Sequence, residues 1–174
     1  MSLKDKLQKC FKEGETGGER HKGLRRAGAN KVGNKELIEK HLEKAAHNLR
    51  AVADFKNMGY SDWSASASFY ALYHCLLALI LKFGYQSRNQ SCTFAVVEDL
   101  INQKKVSLNL DDIKDIFDKD ITENLAHSEK ILDIREAMQY SFKTSLEEEE
   151  FNRLLSQTKL LFDKLKREIE KEEE

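Results

Sequence analysis

A histidine stands inside the most apolar stretch of the chain, where it could take part in acid–base chemistry. It is His74, in the segment SFYALYHCLLALILKF at residues 68–83. A histidine titrates near neutral pH, so one interpretation places His74 in a cleft between helices or subunits as a titratable ligand-binding group. The other interpretation is a core histidine that hydrogen-bonds to a neighbouring helix. The sequence leaves both open.

A polar cluster follows this apolar stretch directly. Arg88, Asn89 and Gln90 come just after Gly84 and precede the next helical segment. A guanidinium beside amides at a helix N-terminus can hold an anion such as phosphate, because free backbone amides and the helix dipole point the same way. An ordinary loop that ends in an N-cap is the alternative.

A second arginine stands in the segment ILDIREAMQY. Arg135 lies between Ile134 and Met138, which should face inward, so its head group need not point away from the core. Tyr140 follows five residues later, one and a half helical turns on, and does not cleanly share a face with Arg135. The two side chains could still converge on a groove. The alternative is a surface arginine with a partner four residues away.

Common motifs for metal and nucleotide chemistry are missing from the sequence. The segment GETGGERHKG lacks the Gly-Lys-Ser/Thr of a phosphate-binding loop, and neither G-x-G-x-x-G nor His-Glu-x-x-His occurs. His41 and His47 are six residues apart and lie on different helix faces. We therefore predict no metal site and no cofactor.

Helical elements must position these residues, because little in the sequence interrupts a helix after residue 34. Proline is absent, and six of the eight glycines lie within residues 14–33. Asn34, Ser61 and the pair Ser145 and Glu148 are plausible N-terminal caps, while Gly59 and Gly84 suit helix ends. The periodicity predicts helices over about 35–58, 62–83, 91–104, 110–117 and 122–144, and one from residue 145 onward.

These helices predict an all-α protein, an antiparallel up-and-down bundle of four to five helices over residues 35–174. The segment 62–83 is apolar on most of its circumference, which is typical of a central helix. As a membrane span it is poor, because residues 69–83 are shorter than the roughly 20 apolar residues needed. They also include His74 and Lys82. We expect no membrane association.

Residues 1–34 form a separate basic, glycine-rich segment in this interpretation. Residues 1–35 carry ten Lys or Arg against four acids, a net charge of +6. Such a segment can favour phosphate-rich partners, and a solvated, flexible tail is the equal alternative. Three scattered cysteines, Cys10, Cys75 and Cys92, lack zinc-type spacing and fit the thiols of a reducing cytosol. With no apolar signal segment at the N-terminus, we expect a cytoplasmic protein.

Three parts of the chain, in this order, resemble the HEPN family of small helical nucleotide-binding domains. They are HLEKAAHNLRAVADFKNMGYSDWSASASFYALYHCLLALILKFGY at residues 41–85, the segment SRNQSC, and Arg135 to Tyr140 with the last helix. The resemblance covers about residues 36–170. It implies a helical bundle that pairs as a symmetric homodimer, with the motif at the groove between subunits.

The same resemblance implies partners and chemistry. Many members accompany a minimal nucleotidyltransferase, and some are metal-independent ribonucleases of toxin–antitoxin type. In those, an arginine steadies phosphate charge, and a histidine separated from it by four to six residues helps activate a 2′-hydroxyl. Arg135 matches the arginine, but Tyr140 stands where the histidine would be, as in the branch whose motif ends in tyrosine.

A tyrosine has an ordinary pKa of about 10, too high for an efficient general base at neutral pH. We therefore expect a non-catalytic module that binds a nucleotide, RNA or a nucleotidyltransferase through a polar groove near Arg135. An endoribonuclease that uses Arg135 and Tyr140, and a purely structural interaction domain, are the alternatives.

Overall fold

Seven helices and one short two-stranded ribbon make up the described part of this computed structural model, which covers residues 1–16, 18, 22–28, 31–116 and 131–171. The elements are α1 (Leu3–Glu15), β1 (Leu24–Arg26), α2 (Lys31–Asn57), α3 (Ser61–Lys82), β2 (Tyr85–Ser87), α4 (Gln90–Asn102), α5 (Leu110–Ile116), α6 (Ile131–Tyr140) and α7 (Glu148–Glu170). The all-α prediction is confirmed. Of the predicted helix 122–144, the part before residue 131 lies outside the described residues, as does Phe117.

Helix α3 is the centre of the bundle. Most of its side chains are buried, and it packs against α2, α6 and α7. By length and hydropathy it is the one helix among the described residues that could cross a membrane, yet 72% of its apolar window is buried inside the protein. The apolar circumference seen in the sequence is therefore covered by neighbouring helices, as in a core helix.

Helices α2 and α3 form an antiparallel hairpin through a three-residue connection, residues 58–60. Ser64 Oγ donates to the Val52 carbonyl over 2.8 Å inside this hairpin. Gly59 and Gly84 end α2 and α3 with positive φ angles of 85° and 80°, as the sequence predicts for helix ends.

Helix α7 runs parallel to α3, since contacts join like ends of the two helices. Ser61 Oγ accepts a 2.8 Å hydrogen bond from the backbone N–H of Leu146, in the connection that leads into α7. At the other end, Lys82 Nζ donates to the carbonyls of Glu168 (2.8 Å) and Lys171 (2.6 Å). Those carbonyls lie at the helix C-terminus, where a cation also complements the helix dipole.

Two of the predicted N-caps are wrong because the helices start at other residues. α2 begins at Lys31, and Asn34 donates from its side chain to the Gly28 carbonyl over 3.0 Å. Ser61 is the first residue of α3, and its hydroxyl accepts the hydrogen bond from the Leu146 N–H. It therefore does not cap the helix.

The cap of α7 also lies two residues beyond the predicted one. The N-cap is Glu147, and its side chain and that of Glu150 bond to each other's backbone N–H groups in a capping box. The predicted pair was Ser145 and Glu148. A carboxylate can replace the serine hydroxyl because either oxygen accepts from a free N–H of the first turn.

Residues 1–34 contain regular structure that packs on the bundle. A disulfide joins the buried Cys10 of α1 to Cys92 of α4, with 5.7 Å between the Cα atoms. β1 pairs antiparallel with β2, and Leu24 is completely buried. Three free thiols were expected, and this is wrong for Cys10 and Cys92; Cys75 is free and buried. The domain boundary at residue 34 stays a prediction, although α2 begins before it.

Close backbone packing holds the N-terminal elements together. A Cβ atom added to Gly14 would lie 2.0 Å from the Leu24 carbonyl oxygen, so only glycine fits where α1 crosses β1. The ribbon continues this contact, because the Ala27 N–H donates to the Gly84 carbonyl and the Arg88 N–H to the Gly23 carbonyl.

Candidate functional site

Arg135 lies on α6 and packs its guanidinium on two aromatic rings of α3. Its Cζ is 4.9 Å from the ring centre of Phe69 and 5.3 Å from that of Tyr70. Both distances are within the range of a cation–π interaction. Arg135 Nε is buried, and no hydrogen-bond acceptor among the described residues reaches it. We call Arg135 with Phe69 and Tyr70 the arginine platform.

The rings of the platform are anchored to the rest of the bundle. Phe69 stacks on Tyr73 at 5.8 Å with an interplanar angle of 10° and meets Tyr70 edge-on. The Tyr73 hydroxyl shares a 3.3 Å hydrogen bond with Thr93 of α4. Burial raises the pKa of Tyr73, so its phenol stays neutral. Tyr70 is 40% exposed, which leaves one edge of the platform open to solvent.

Tyr140, the residue in the motif's second position, is not brought to Arg135. It is the last residue of α6 and 81% exposed. Five residues at about 100° each place it roughly 140° around the helix from Arg135. A general base must lie within hydrogen-bond reach of the proton it removes. Arg135 and Tyr140 therefore do not form one compact acid–base pair here.

His74 forms a pair with a histidine that the sequence did not select. The Nδ1 atoms of His41 on α2 and His74 on α3 are 3.0 Å apart, so one nitrogen donates and the other accepts. Burial lowers the pKa of His41. Burial, with repulsion from His41 and Lys44, lowers the pKa of His74 to about 4. Both imidazoles are thus neutral at neutral pH, and His74 bonds to a neighbouring helix as one interpretation expected.

A cleft of ≈ 720 Å³ opens between the β-ribbon and the outer face of the α2–α3 hairpin, beside this histidine pair. We call it the basic cleft. None of the described residues that line it is acidic, and its lining residues are Arg25, Leu37, His41, Leu77, Leu81, Tyr85, Gln86, Ser87 and Arg88. The cleft brings together Arg88 and His41, the hydrogen-bond partner of His74.

The predicted Arg88–Asn89–Gln90 cluster is divided by the structure. Arg88 lines the basic cleft, whereas Asn89 is the N-cap of α4 and accepts a 3.1 Å hydrogen bond from the Cys92 N–H. Gln90 is the first residue of α4. The side chain of Asn89 thus serves its own helix, which is the alternative that the sequence left open.

A smaller groove of ≈ 380 Å³ lies between the start of α3 and the segment after α6. It is lined by Asp62, Trp63, Ser66, Met138, Gln139, Ser141, Phe142, Lys143 and Thr144. Trp63 is 57% exposed and the Phe142 side chain is fully exposed. We call it the aromatic groove. Large exposed aromatic side chains are typical of contact surfaces.

No cluster of three or more metal-ligating side chains is present within residues 1–116 and 131–171 as described. The free Cys75 lies in the core, and burial raises the pKa of its thiol to about 12. Its thiolate is therefore scarce at neutral pH, which makes Cys75 a poor nucleophile.

Comparison with known proteins adds one finding to this geometry. The family model of the HEPN domain matches residues 38–169, which span α2 to α7 and include the arginine platform. A search of curated proteins found no match.

Proposed function

The chain belongs to the HEPN domain family, and from this premise we propose that it is a non-catalytic module that binds a nucleotide or RNA at the arginine platform. The observation that supports this most directly is Arg135, whose guanidinium is stacked on Phe69 and Tyr70. Its buried Nε has no hydrogen-bond partner among the described residues.

The platform combines the two contacts that a nucleotide offers. A guanidinium binds phosphate oxygens through paired N–H donors. Unstacked bases pack on aromatic rings and on arginine planes, largely without regard to sequence. Tyr70, with its exposed edge beside Arg135, suits a base, and Arg135 suits the adjacent phosphate.

The module is proposed as non-catalytic because its motif lacks a suitable base near the arginine. Tyr140 points away around α6 and lies in solvent. The histidines His41 and His74 bond to each other on the α2–α3 hairpin. An endoribonuclease remains the alternative, in which Arg135 would steady the phosphate charge and Tyr140 would act only after a rearrangement of α6.

We propose a second copy of the chain as the protein partner. Trp63 and Phe142 present exposed rings in the aromatic groove. Trp63 lies two helical turns before Tyr70 on α3, so the two residues share a face of that helix. A homodimer that covers these rings would place two copies of Arg135 near one shared groove. A minimal nucleotidyltransferase seated on the same surface is the alternative partner.

The test is a titration of nucleoside triphosphates and short single-stranded RNA into wild-type protein and Arg135→Ala. Loss of a charged hydrogen bond and of base stacking should weaken binding about tenfold or more. Arg135→Lys should recover only part of the affinity, because lysine lacks the planar fork. Arg50→Ala is the matched control, since Arg50 is an exposed arginine on α2, a helix that contributes no residue to the platform. Equal affinities of wild type and Arg135→Ala would reject the proposal.

The two alternatives make different predictions for the same variants. An endoribonuclease would cleave RNA in EDTA, and Arg135→Ala would abolish the cleavage while Tyr140→Phe would reduce it. A purely structural Arg135 would leave ligand binding undetectable in wild type, while Arg135→Ala would lower the melting temperature substantially.

The oligomeric state has its own test. Light scattering during size exclusion should give twice the chain mass for wild type, and Trp63→Ala or Phe142→Ala should shift the protein towards the monomer. A wild-type mass of one chain would reject the homodimer.

A further inference from the structure

We propose that the basic cleft is a second binding site, distinct from the arginine platform, for a small organic anion with a phosphate or carboxylate group and a short apolar body. The site is assembled from the N-terminal segment and the α2–α3 hairpin. The HEPN match begins at residue 38, so Arg25 and β1 lie outside the matched region.

The charge of the site comes from the β-ribbon. Side chains alternate between the two faces of a strand, and Arg25 pairs with Gln86 across the ribbon. Arg88 follows Ser87, the last residue of β2. All three line the cleft. Two guanidinium groups among the lining residues, each with several N–H donors, favour an anion.

The charged wall is held in place by contacts other than a ligand. Arg25 Nε donates to the Gly14 carbonyl, which fixes the guanidinium against the end of α1. The Arg88 N–H donates to the Gly23 carbonyl, and the Cys10–Cys92 disulfide fastens α1 to α4. The Arg25 guanidinium and the backbone at Arg88 are thus positioned before a ligand binds, which reduces the entropy lost on binding.

The opposite wall of the cleft is apolar, and it favours a ligand whose second part is an apolar body. Leu37 of α2 and Leu77 and Leu81 of α3 form it, and His41 also lines the cleft. The Nδ1 of His41 is engaged with His74, so Nε2 is the ring nitrogen left for a ligand. The volume of ≈ 720 Å³ is that of a small-molecule site. An inorganic ion alone would leave the leucine wall uncovered.

The experiment titrates full-length protein with hexyl phosphate, hexanoate, hexanol and inorganic phosphate. Binding is measured by calorimetry or by NMR chemical-shift changes. Hexyl phosphate or hexanoate should bind more tightly than hexanol and inorganic phosphate, and the comparison of the two anions identifies the head group. Arg88→Ala should weaken binding of the tighter anion about tenfold, and Arg88→Glu more. The Arg88 side chain is exposed, so these variants should fold.

Two control variants make the result specific. Arg50→Ala removes an exposed arginine elsewhere on α2 and should leave anion affinity unchanged. Arg135→Ala should also leave it unchanged, so that this proposal and the nucleotide proposal fail separately. Three results would overturn the proposal: no binding of either organic anion at millimolar concentration, hexanol binding as tightly as the anions, or wild-type affinity in Arg88→Glu.

Discussion

The Cys10–Cys92 disulfide should be a major contributor to stability, and its removal gives the sharpest test of the N-terminal structure. The bond joins residues 82 apart in sequence. In the chain-entropy description, closing a loop of this length in the unfolded state stabilises the fold by about 4.5 kcal/mol. For a chain of this size each kcal/mol moves the melting temperature by roughly 2–4 °C. The variant Cys10→Ala/Cys92→Ala should therefore melt about 9–18 °C below wild type.

The assay has two parts. Thiol titration of non-reduced, denatured protein should find one reactive thiol, that of Cys75. Calorimetry should then show that a reductant lowers the melting temperature of wild type and of Cys75→Ala, and leaves that of Cys10→Ala/Cys92→Ala unchanged. Three reactive thiols, or a double variant that melts with wild type, would refute the reasoning.

The disulfide also changes the inference from cysteine usage to the cellular compartment of the protein. Disulfides persist in oxidising surroundings and are rare in a reducing cytosol. The sequence-based expectation of a cytoplasmic protein rested in part on three free thiols. With Cys10 and Cys92 joined, cysteine usage no longer supports it, and localisation stays a prediction that fractionation of the source cells can check.

Three further predictions concern stability. The folded-state pKa of His74, about 4, lies below the ordinary 6.5. The contribution of His74 to the free energy of unfolding is therefore complete above pH 6.5 and is lost as the pH falls towards 4. Discounted for partial exposure, the loss by pH 5 is about 1 kcal/mol; in urea unfolding His74→Gln should reduce this pH dependence and the exposed His47→Gln should retain it. Gly14→Ala should destabilise by about 1–3 kcal/mol, because its Cβ meets the backbone of β1, whereas Gly28→Ala, with open space around it, should not. Ser61→Ala should cost about 1–3 kcal/mol in the same assay, because it leaves a buried backbone N–H without its acceptor; a cost near zero would mean that water replaces the hydroxyl.

The bundle could be predicted from sequence because its information is local. Proline is absent, apolar residues recur at helical spacing from α2 onward, and Gly59 and Gly84 mark the helix ends. The N-caps were harder, since Asn34, Ser61 and Ser145 can each accept a first-turn N–H. Which hydroxyl or amide does so depends on tertiary contacts, as the Ser61 bond to Leu146 shows.

The N-terminal segment contains a helical periodicity of apolar residues that its high charge made easy to overlook. Leu3, Leu7, Cys10 and Phe11 recur at three- and four-residue steps, which is an amphipathic pattern, and the structure has α1 there. The strands are different. Three residues each in β1 and β2 are too few to show alternation, and their pairing depends on where α1 and α3 bring them.

His41 can be identified as the partner of His74 from the sequence once an antiparallel α2–α3 hairpin is assumed. In an antiparallel helix pair, a residue n positions before a contact on the first helix lies opposite the residue about n positions after it on the second. This holds because both helices rise by the same distance per residue. Val52 faces Ser64, so His41, eleven residues back on α2, must face the neighbourhood of His74, ten residues on along α3. Compared only with His47 on its own helix, His41 showed no pattern. Set in the hairpin register, it becomes the partner of the buried histidine and a wall of the basic cleft. In this hairpin, pairing across the two helices identifies the partner of His74, which spacing within α2 does not.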